Sequence, residues 1–131
     1  MQEIDKLAWL YVKDQRLLVA RSKGQATFYI PGGKRETRES DQAALIREIK
    51  EELSVDLIPT TIVYIETFTA QAHEKPNRMP VKITCYQAEF IGTIEASTEI
   101  EEIAWLSYQD KTRCSPVTQL IMDWLKAKGI F

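Results

Sequence analysis

The sequence predicts one mixed α/β (α+β) domain over residues 1–131, with a mixed sheet lying between helices. The chain has 131 residues, a length that suits a single domain with a self-supporting core. Hydrophobic residues make up 44% and charged residues 27%, which is typical of a globular protein. Short β-rich segments occur together with two amphipathic segments but do not alternate with them regularly. We therefore expect helices on both faces of the sheet.

The β-rich segments predict the strands. Residues 7–12 and 17–21 flank a turn at Asp14-Gln15 and predict a hairpin. Residues 27–30 form a short extended segment that runs into Pro31-Gly32-Gly33, which we interpret as a loop with unusual backbone freedom. Three further strands are predicted from their β-branched and aromatic residues, at 60–69, 81–90 and 103–106. The first two of these flank a polar loop at 71–80 and predict a long antiparallel pair.

Two segments have the periodicity of amphipathic helices. Ser40 is a predicted N-cap for a helix over residues 41–53. Leu45, Ile49 and Leu53 are spaced four apart, with Ile46 beside them, and give this helix an apolar face. A closing helix is predicted over 117–128, and its inward-facing residues are predicted to be Leu120, Ile121, Trp124 and Leu125.

Charge and cysteine content exclude several classes of partner. The formal net charge is −2, so we expect no nucleic acid polymer and no membrane surface as a partner. The N-terminus is charged, and no apolar run approaches the roughly 20 residues that span a bilayer. Cys85 and Cys114 match no metal-site spacing and favour reduced thiols in a cytoplasmic protein, although a disulfide between them stays open.

Three carboxylates are clustered on the first predicted helix. Glu48 is a helical neighbour of both Glu51 and Glu52, and Arg47 precedes Glu51 by four residues and can pair with it. Like charges side by side repel each other, and a magnesium ion removes the conflict because it prefers carboxylate, water and phosphate oxygens. A carbonyl of the preceding Gly-Gly pair can add another ligand. The alternative is a solvated, salt-bridged helix face.

The spacing of these residues resembles the signature of the Nudix hydrolase family. That signature has a glycine, five residues, a glutamate, seven residues, Arg-Glu, an aliphatic, any residue, Glu-Glu, any residue, a glycine and an aliphatic. The matching residues are Gly33, Glu39, Arg47, Glu48, Ile49, Glu51, Glu52 and Val55. The one departure is Ser54 in place of the second glycine, which suits a left-handed residue that ends the helix; either serine costs on the order of 1 kcal/mol there, or the helix ends differently.

The resemblance implies a Nudix-type α/β/α sandwich and a hydrolase of nucleoside diphosphates linked to another group, X. It implies Mg²⁺ as cofactor, with Mn²⁺ as a substitute. Glu51 and Glu52 are the implied metal ligands, and Glu48 is either a ligand or the base that activates water. A carbonyl of Gly32 or Gly33 would complete the metal site. Two further residues are implied to support the site, Arg47 by holding the carboxylates and Glu39 by bracing the loop against the helix.

Further site residues are proposed outside the carboxylate cluster. Arg21, Lys34 and Arg35 are candidates for binding substrate phosphates, with solvated surface bases as the alternative. The resemblance also implies one more carboxylate before a Trp in the final strand region. Glu99, six residues before Trp105, fits best, and its rivals are Glu101 and Glu102. His73, Trp9, Phe28 and Tyr29 are interpreted as loop or core residues rather than substrate contacts.

Three functions agree with these residues. The leading hypothesis is a nucleoside triphosphate ((d)NTP) pyrophosphohydrolase that acts on a small-molecule nucleotide. The second is an enzyme for ADP-ribose, a nucleotide sugar or a dinucleotide polyphosphate, and the third is a non-catalytic module that senses a nucleotide. The mutator-type branch of the family reads the base with an asparagine before the last helix, where this chain has Cys114. A homodimer is compatible with the resemblance.

Overall fold

A computed structural model of the chain describes residues 3–71 and 80–131. His73 and residues 72–79 of the predicted polar loop lie outside the described residues. The strands are β1 (Ile4–Trp9), β2 (Val12–Lys13), β3 (Arg16–Ser22), β4 (Gly32–Lys34), β5 (Asp56–Leu57), β6 (Val63–Gln71), β7 (Pro80–Gln87), β8 (Phe90–Ile91) and β9 (Ile100–Leu106). The helices are α1 (Asp41–Leu53) and α2 (Pro116–Ala127), with short 3₁₀ turns at Pro59–Thr61 and Tyr108–Arg113.

The strands of the described segments form two main sheets. One has the order β4-β1-β7-β6 and is mixed, because β1 runs parallel to β7 while its other pairings are antiparallel. The other is antiparallel, with the order β2-β3-β9, and β5 pairs with β8 in a separate ribbon. The mixed sheet and the β6–β7 pair are confirmed, whereas the separate antiparallel sheet was not predicted.

Hydrophobic side chains form two clusters on opposite sides of β1 and β3. Leu7 and Trp9 pack with α1, whereas Ala8 and Leu10 pack in the cluster that contains α2. The same alternation holds in β3, where Leu18 faces the α1 cluster. Adjacent residues of these strands are therefore buried on both faces, since a helix covers each side. This arrangement confirms the predicted α/β/α layers.

The prediction of a hairpin from residues 7–12 and 17–21 was wrong for most of its length. Only Val12 and Lys13 pair with β3, around a turn at Asp14 and Gln15 where both residues have positive φ. Residues 4–9 instead lie in the middle of the other sheet, between β4 and β7. The run Leu7 to Leu10 is buried without alternation, as expected for a central strand covered on both sides.

Two smaller predictions were also wrong. Gly32 and Gly33 belong to β4, antiparallel to β1, rather than to a loop. Leu120 of α2 is 41% exposed instead of facing inward, and Val117 and Met122 are buried in its place. Because α2 packs on only one side, a shift of one position moves a residue from core to solvent. Neither described helix is long and apolar enough to cross a membrane.

Candidate active site

Helix α1 fixes the positions of the clustered carboxylates because both of its ends are set locally. The Ser40 hydroxyl accepts a hydrogen bond from the Ala43 amide at 3.1 Å, which confirms the predicted N-cap. Ser54 has φ of 68°, and its amide donates to the Lys50 carbonyl at 3.1 Å. This left-handed C-terminal residue ends the helix directly after its last turn. Glu48, Glu51 and Glu52 therefore lie in the last two turns, next to β4.

Glu52 is the most sheltered of the helix carboxylates. Its Oε1 atom accepts a hydrogen bond from the Gly32 amide at 3.2 Å. Burial is the main cause that raises the pKa of Glu52 to about 8; the Gly32 amide opposes this rise, and the nearby Glu48 and Glu99 carboxylates add to it. Lys6 also opposes this rise but forms no ion pair with Glu52 within the described residues, so the negative charge of the three carboxylates is only partly balanced.

Glu48 lies directly against Gly33. A Cβ atom added to Gly33 would overlap the Glu48 carboxylate, so the absence of a side chain lets this carboxylate reach the strand. The Glu48 side chain is 18% exposed, against 55% for Glu51. Glu48 and Glu52 are thus held against the Gly-Gly pair, whereas Glu51 lies on the solvent side.

Arg47 connects the helix to the preceding loop. Its Nε and Nη2 atoms donate to the two Glu39 oxygens at 2.7 and 2.8 Å, and Nη2 also donates to the Lys34 carbonyl at 3.0 Å. Its Nη1 atom donates to Glu48 at 2.9 Å and Glu51 at 3.2 Å. The planar guanidinium serves these acceptors together because its donors point in fixed directions.

Glu39 lies between this arginine and the loop. Arg47 is the main cause that lowers the pKa of Glu39 to about 2, and the Glu36 amide, which donates to Glu39 at 2.8 Å, acts in the same direction. Glu39 therefore stays ionised beside Arg47. These contacts agree with the bracing role that the resemblance implied.

Backbone hydrogen bonds hold a second acidic segment, residues 95–99, against the C-terminal end of α1. The Glu95 amide donates to the Leu53 carbonyl at 2.9 Å, and the Ser97 amide donates to the Glu52 carbonyl at 3.0 Å. Glu99 follows this segment and lies close enough to raise the pKa of Glu52 further. Glu102 instead pairs with Arg21 at 3.1 Å, and Glu101 is exposed, as Glu99 also is, but Glu101 does not contribute to the pKa shift of Glu52. Among the three rivals, Glu99 is the one brought to the helix carboxylates.

The candidate phosphate-binding residues have different surroundings. Arg21 pairs with Glu102 and lies 5.8 Å from the centre of the Phe28 ring. Arg35 binds Asp41 and Asp5, so its guanidinium is engaged in the fold. Lys34 is exposed in β4, directly opposite Lys6 of β1. Lys6 was not singled out from the sequence, because an isolated lysine near a predicted strand carries no signal of its own.

The aromatic candidates and Cys114 are mainly structural. Trp9 and Phe28 are buried in the core. Cys114 is also buried, and its backbone forms an isolated β-bridge with Phe28. Tyr29 is half-buried, and its hydroxyl lies 2.6 Å from the Ser22 hydroxyl. Burial is the main cause that raises the pKa of Tyr29 to about 12, and Glu52, Glu99 and Glu48 contribute, so this ring lies close to the carboxylates. Both cysteines are free thiols, so they form no disulfide.

The carboxylates fit a divalent cation by their chemistry, though they do not form a preassembled cage. Glu48, Glu52 and Glu99 supply the hard oxygen donors that Mg²⁺ and Mn²⁺ prefer, and Glu52 forms no ion pair within the described residues, although Lys6 lies close enough to lower its pKa. Within residues 3–71 and 80–131, no group of three acidic, histidine or cysteine side chains converges on one point. Glu48 and Glu51 are turned to Arg47 instead. Such a partly built site suits a cation that binds together with substrate phosphates.

Comparison with known proteins identifies the family. The sequence matches the NUDIX domain over residues 5–124, so the chain belongs to the Nudix family. It is therefore a hydrolase of the pyrophosphohydrolase class. No curated protein matches the sequence.

Solved structures share the fold at low sequence identity. The MutT NUDIX hydrolase from Burkholderia pseudomallei is 22% identical with a TM-score of 0.76, and the alignment covers 94% of this chain and 98% of that one. The E. coli ORF135 protein is 23% identical with a TM-score of 0.72, covering 98% and 94%. A bifunctional NMN adenylyltransferase/ADP-ribose pyrophosphatase from Francisella tularensis, in complex with AMP and a Mn ion, is 19% identical with a TM-score of 0.69, covering 97% and 42%.

Proposed function

We propose that the protein is a Mg²⁺-dependent (d)NTP pyrophosphohydrolase, with Mn²⁺ as a substitute metal. The observation that carries this proposal is the group of Glu48, Glu52 and Glu99. Two of these carboxylates lie against the Gly32-Gly33 pair, and the third, Glu99, is close enough to Glu52 to raise its pKa. Carboxylates held together without a matching cation suit a metal that arrives with a phosphate chain.

Each residue has one proposed role in the reaction. Glu48 and Glu52, with Glu51 and a carbonyl of Gly32 or Gly33, would hold the cation, which neutralises phosphate charge when it is bound. Arg47 and Glu39 position these carboxylates. The water oxygen forms a bond to phosphorus, the bridging P–O bond breaks, and its oxygen leaves on the departing phosphate. Glu99 accepts the proton from the attacking water.

Solved neighbours include both a MutT NUDIX hydrolase and an ADP-ribose pyrophosphatase, so the choice between a triphosphate and another substrate class falls to the nucleotide panel below. Arg21, Lys34 and Arg35 remain candidates for the phosphates, with Lys34 the least engaged in the described residues.

A nucleotide panel tests the proposal. We expect (d)NTPs to give nucleoside monophosphate and pyrophosphate in Mg²⁺, some activity in Mn²⁺, and none with a chelator. ADP-ribose, a nucleotide sugar and a dinucleotide polyphosphate complete the panel. Faster cleavage of any of these three would move the assignment to that substrate class. Binding of nucleotides without any turnover would instead identify a sensing module.

The remaining proposals concern the setting of the enzyme. Cys85 and Cys114 are buried free thiols, and we propose a reducing cytoplasm as the setting of the enzyme. We also propose that the partner is a small-molecule nucleotide and not a nucleic acid polymer. A homodimer is compatible with this function, and light scattering of the purified protein decides it.

A further inference from the structure

Lys6 occupies an unusual position at the edge of the active site. In β1 it lies directly opposite Lys34 of β4 and is also paired with Ile83 of β7. Since Ala8 and Leu10 face the α2 cluster, alternation places Lys6 on that same face. The neighbouring β4 residues are Gly32 and Gly33, which are the residues that contact Glu52 and Glu48.

The ammonium group of Lys6 is half-buried and has no close counter-charge. Burial is the main cause that lowers the pKa of Lys6 and Lys34 adds to this, while Glu52 and Glu48 act in the opposite direction from a greater distance. No carboxylate within the described parts of the chain lies within 4.0 Å of this nitrogen. Sheltering a cation in this way is unfavourable unless an anion binds beside it.

The pairing with Lys34 makes the position more unfavourable still. Like charges directly opposite each other on antiparallel strands destabilise a sheet. The nearby arginines are already engaged, Arg21 with Glu102 and Arg35 with Asp41 and Asp5. Within residues 3–71 and 80–131, Lys6 and Lys34 are therefore the pair of cations next to the carboxylates that remains for an external anion.

We propose that Lys6, together with Lys34, binds the phosphate chain of the substrate across the edge of β4. This rests on the proposed function and adds a binding residue to it. Gly32 and Gly33, which precede Lys34 in β4, contact Glu52 and Glu48, so one polyphosphate can reach both the lysines and the carboxylates. Lysine suits this role because its ammonium is a compact charge on a flexible stem that can follow phosphate oxygens.

The experiment compares Lys6→Met with Lys13→Met, a matched loss of one positive charge on an exposed residue of β2. For each variant, kcat and KM for the best nucleoside triphosphate are measured in Mg²⁺. The Kd of inorganic pyrophosphate with Mg²⁺ is measured by calorimetry, and stability is measured by urea unfolding. We expect Lys6→Met to raise KM and the pyrophosphate Kd at least about tenfold without loss of stability, and Lys13→Met to behave like wild type.

The remaining outcomes separate this proposal from the enzyme assignment. Wild-type KM and pyrophosphate Kd in folded Lys6→Met would overturn the role of Lys6 while leaving the hydrolase intact. Conversely, a wild-type protein that binds pyrophosphate through Lys6 but cleaves no nucleotide would overturn the proposed function alone. Lys6→Arg should keep most of the affinity because it keeps the positive charge. If Lys6→Met does not fold, Lys6→Arg and Lys6→Gln become the deciding variants. Loss of stability in Lys6→Gln with unchanged pyrophosphate affinity would show a purely structural lysine.

Discussion

At the scale of single residues, the site depends on unequal surroundings for chemically identical carboxylates. Glu39 is kept ionised by Arg47, whereas Glu52 is sheltered and lies near Glu48 and Glu99. The pKa values of these two glutamates, about 2 and about 8, therefore lie on opposite sides of the ordinary value. The difference follows from what each side chain touches, since one accepts from a guanidinium and the other from a single amide.

Glu52→Gln is expected to lower kcat by at least about 100-fold while the protein stays folded. The amide keeps the shape of the side chain but removes the charge that would hold a cation. Steady-state kinetics in saturating Mg²⁺, with circular dichroism to confirm the fold, measure this effect. Near-normal turnover by the folded variant would contradict the placement of the site.

The pH dependence of stability gives a second test of the same residue in metal-free protein. The pKa of Glu52 in the fold is about 8, above its ordinary 4.5. The stabilising contribution of the protonated form is therefore fully present below 4.5 and is lost as the pH rises through about 8. Urea unfolding with a chelator should show wild type losing stability relative to Glu52→Gln over this range. Parallel pH profiles of the two proteins would refute this.

At the scale of elements, the contact between α1 and β4 depends on the absence of two side chains. A Cβ at Gly33 would overlap the Glu48 carboxylate, and a Cβ at Gly32 would overlap the Leu7 carbonyl oxygen of β1. Gly32 also has φ of 150°, which disfavours other residues. The missing side chain at Gly33 thus leaves room for the Glu48 carboxylate, whereas the missing side chain at Gly32 allows β4 to pair with β1.

Gly33→Ala is therefore expected to affect mainly kcat, and Gly32→Ala is expected to affect mainly stability. Gly33→Ala should lower kcat at least about tenfold with little loss of stability, because a side chain can move aside. Gly32→Ala should destabilise the fold by a few kcal/mol, because backbone atoms of β1 cannot move without breaking the pairing. Kinetics and urea unfolding of both variants give the comparison, and equal stability losses would contradict it.

At the C-terminal end of α1, a substitution to glycine is expected to leave the stability unchanged or to increase it. Ser54 has φ of 68°, and its hydroxyl donates to the Glu95 carbonyl at a long 3.3 Å. Ser54→Gly should be neutral or stabilising by up to about 1 kcal/mol and should leave kcat nearly unchanged, since glycine adopts this conformation freely. Thermal unfolding measures it, with Ser54→Ala as the control that keeps the strain. A large loss of turnover without unfolding would reveal a chemical role for Ser54.

At the scale of the whole molecule, the segment that precedes β9 of the other sheet is held against the end of α1. Glu99 precedes β9, and residues 95 and 97 are hydrogen bonded to the end of α1. Glu102 pairs with Arg21 of β3 at 3.1 Å, and Glu101 lies at the register shift between β3 and β9. The contact with α1 therefore comes from the segment before β9 and not from the strand itself.

Glu99→Gln is expected to lower kcat more than Glu101→Gln or Glu102→Gln, with a smaller change in KM. This pattern marks a group that acts mainly in the transition state, as the acceptor of the water's proton does. All three variants are compared at saturating Mg²⁺. Wild-type behaviour of Glu99→Gln beside an inactive neighbour would move the role to that neighbour. No effect in any of the three would leave a site built from α1 alone.

The sequence by itself determined the features that depend on local spacing. Ser40 and Leu53 delimited the first helix correctly, because capping and apolar periodicity act over a few residues. The Nudix family followed from the spacing of residues 33–55, and the positions of Glu48, Glu51 and Glu52 on one helix followed from helical geometry. The left-handed backbone at Ser54 was expected from the glycine that it replaces.

Only the tertiary structure decided which distant residues meet. Residues 7–12 were predicted as half of a hairpin, yet residues 7–9 belong to a central strand, because strand pairing depends on partners 77 residues away and not on the nearest turn. The same pairing brings Lys6 beside Lys34, and the hydrogen bonds to α1 bring Glu99 to Glu52. Such contacts leave no mark in local periodicity, since their energy comes from burial and charge shared between segments that are far apart in the chain.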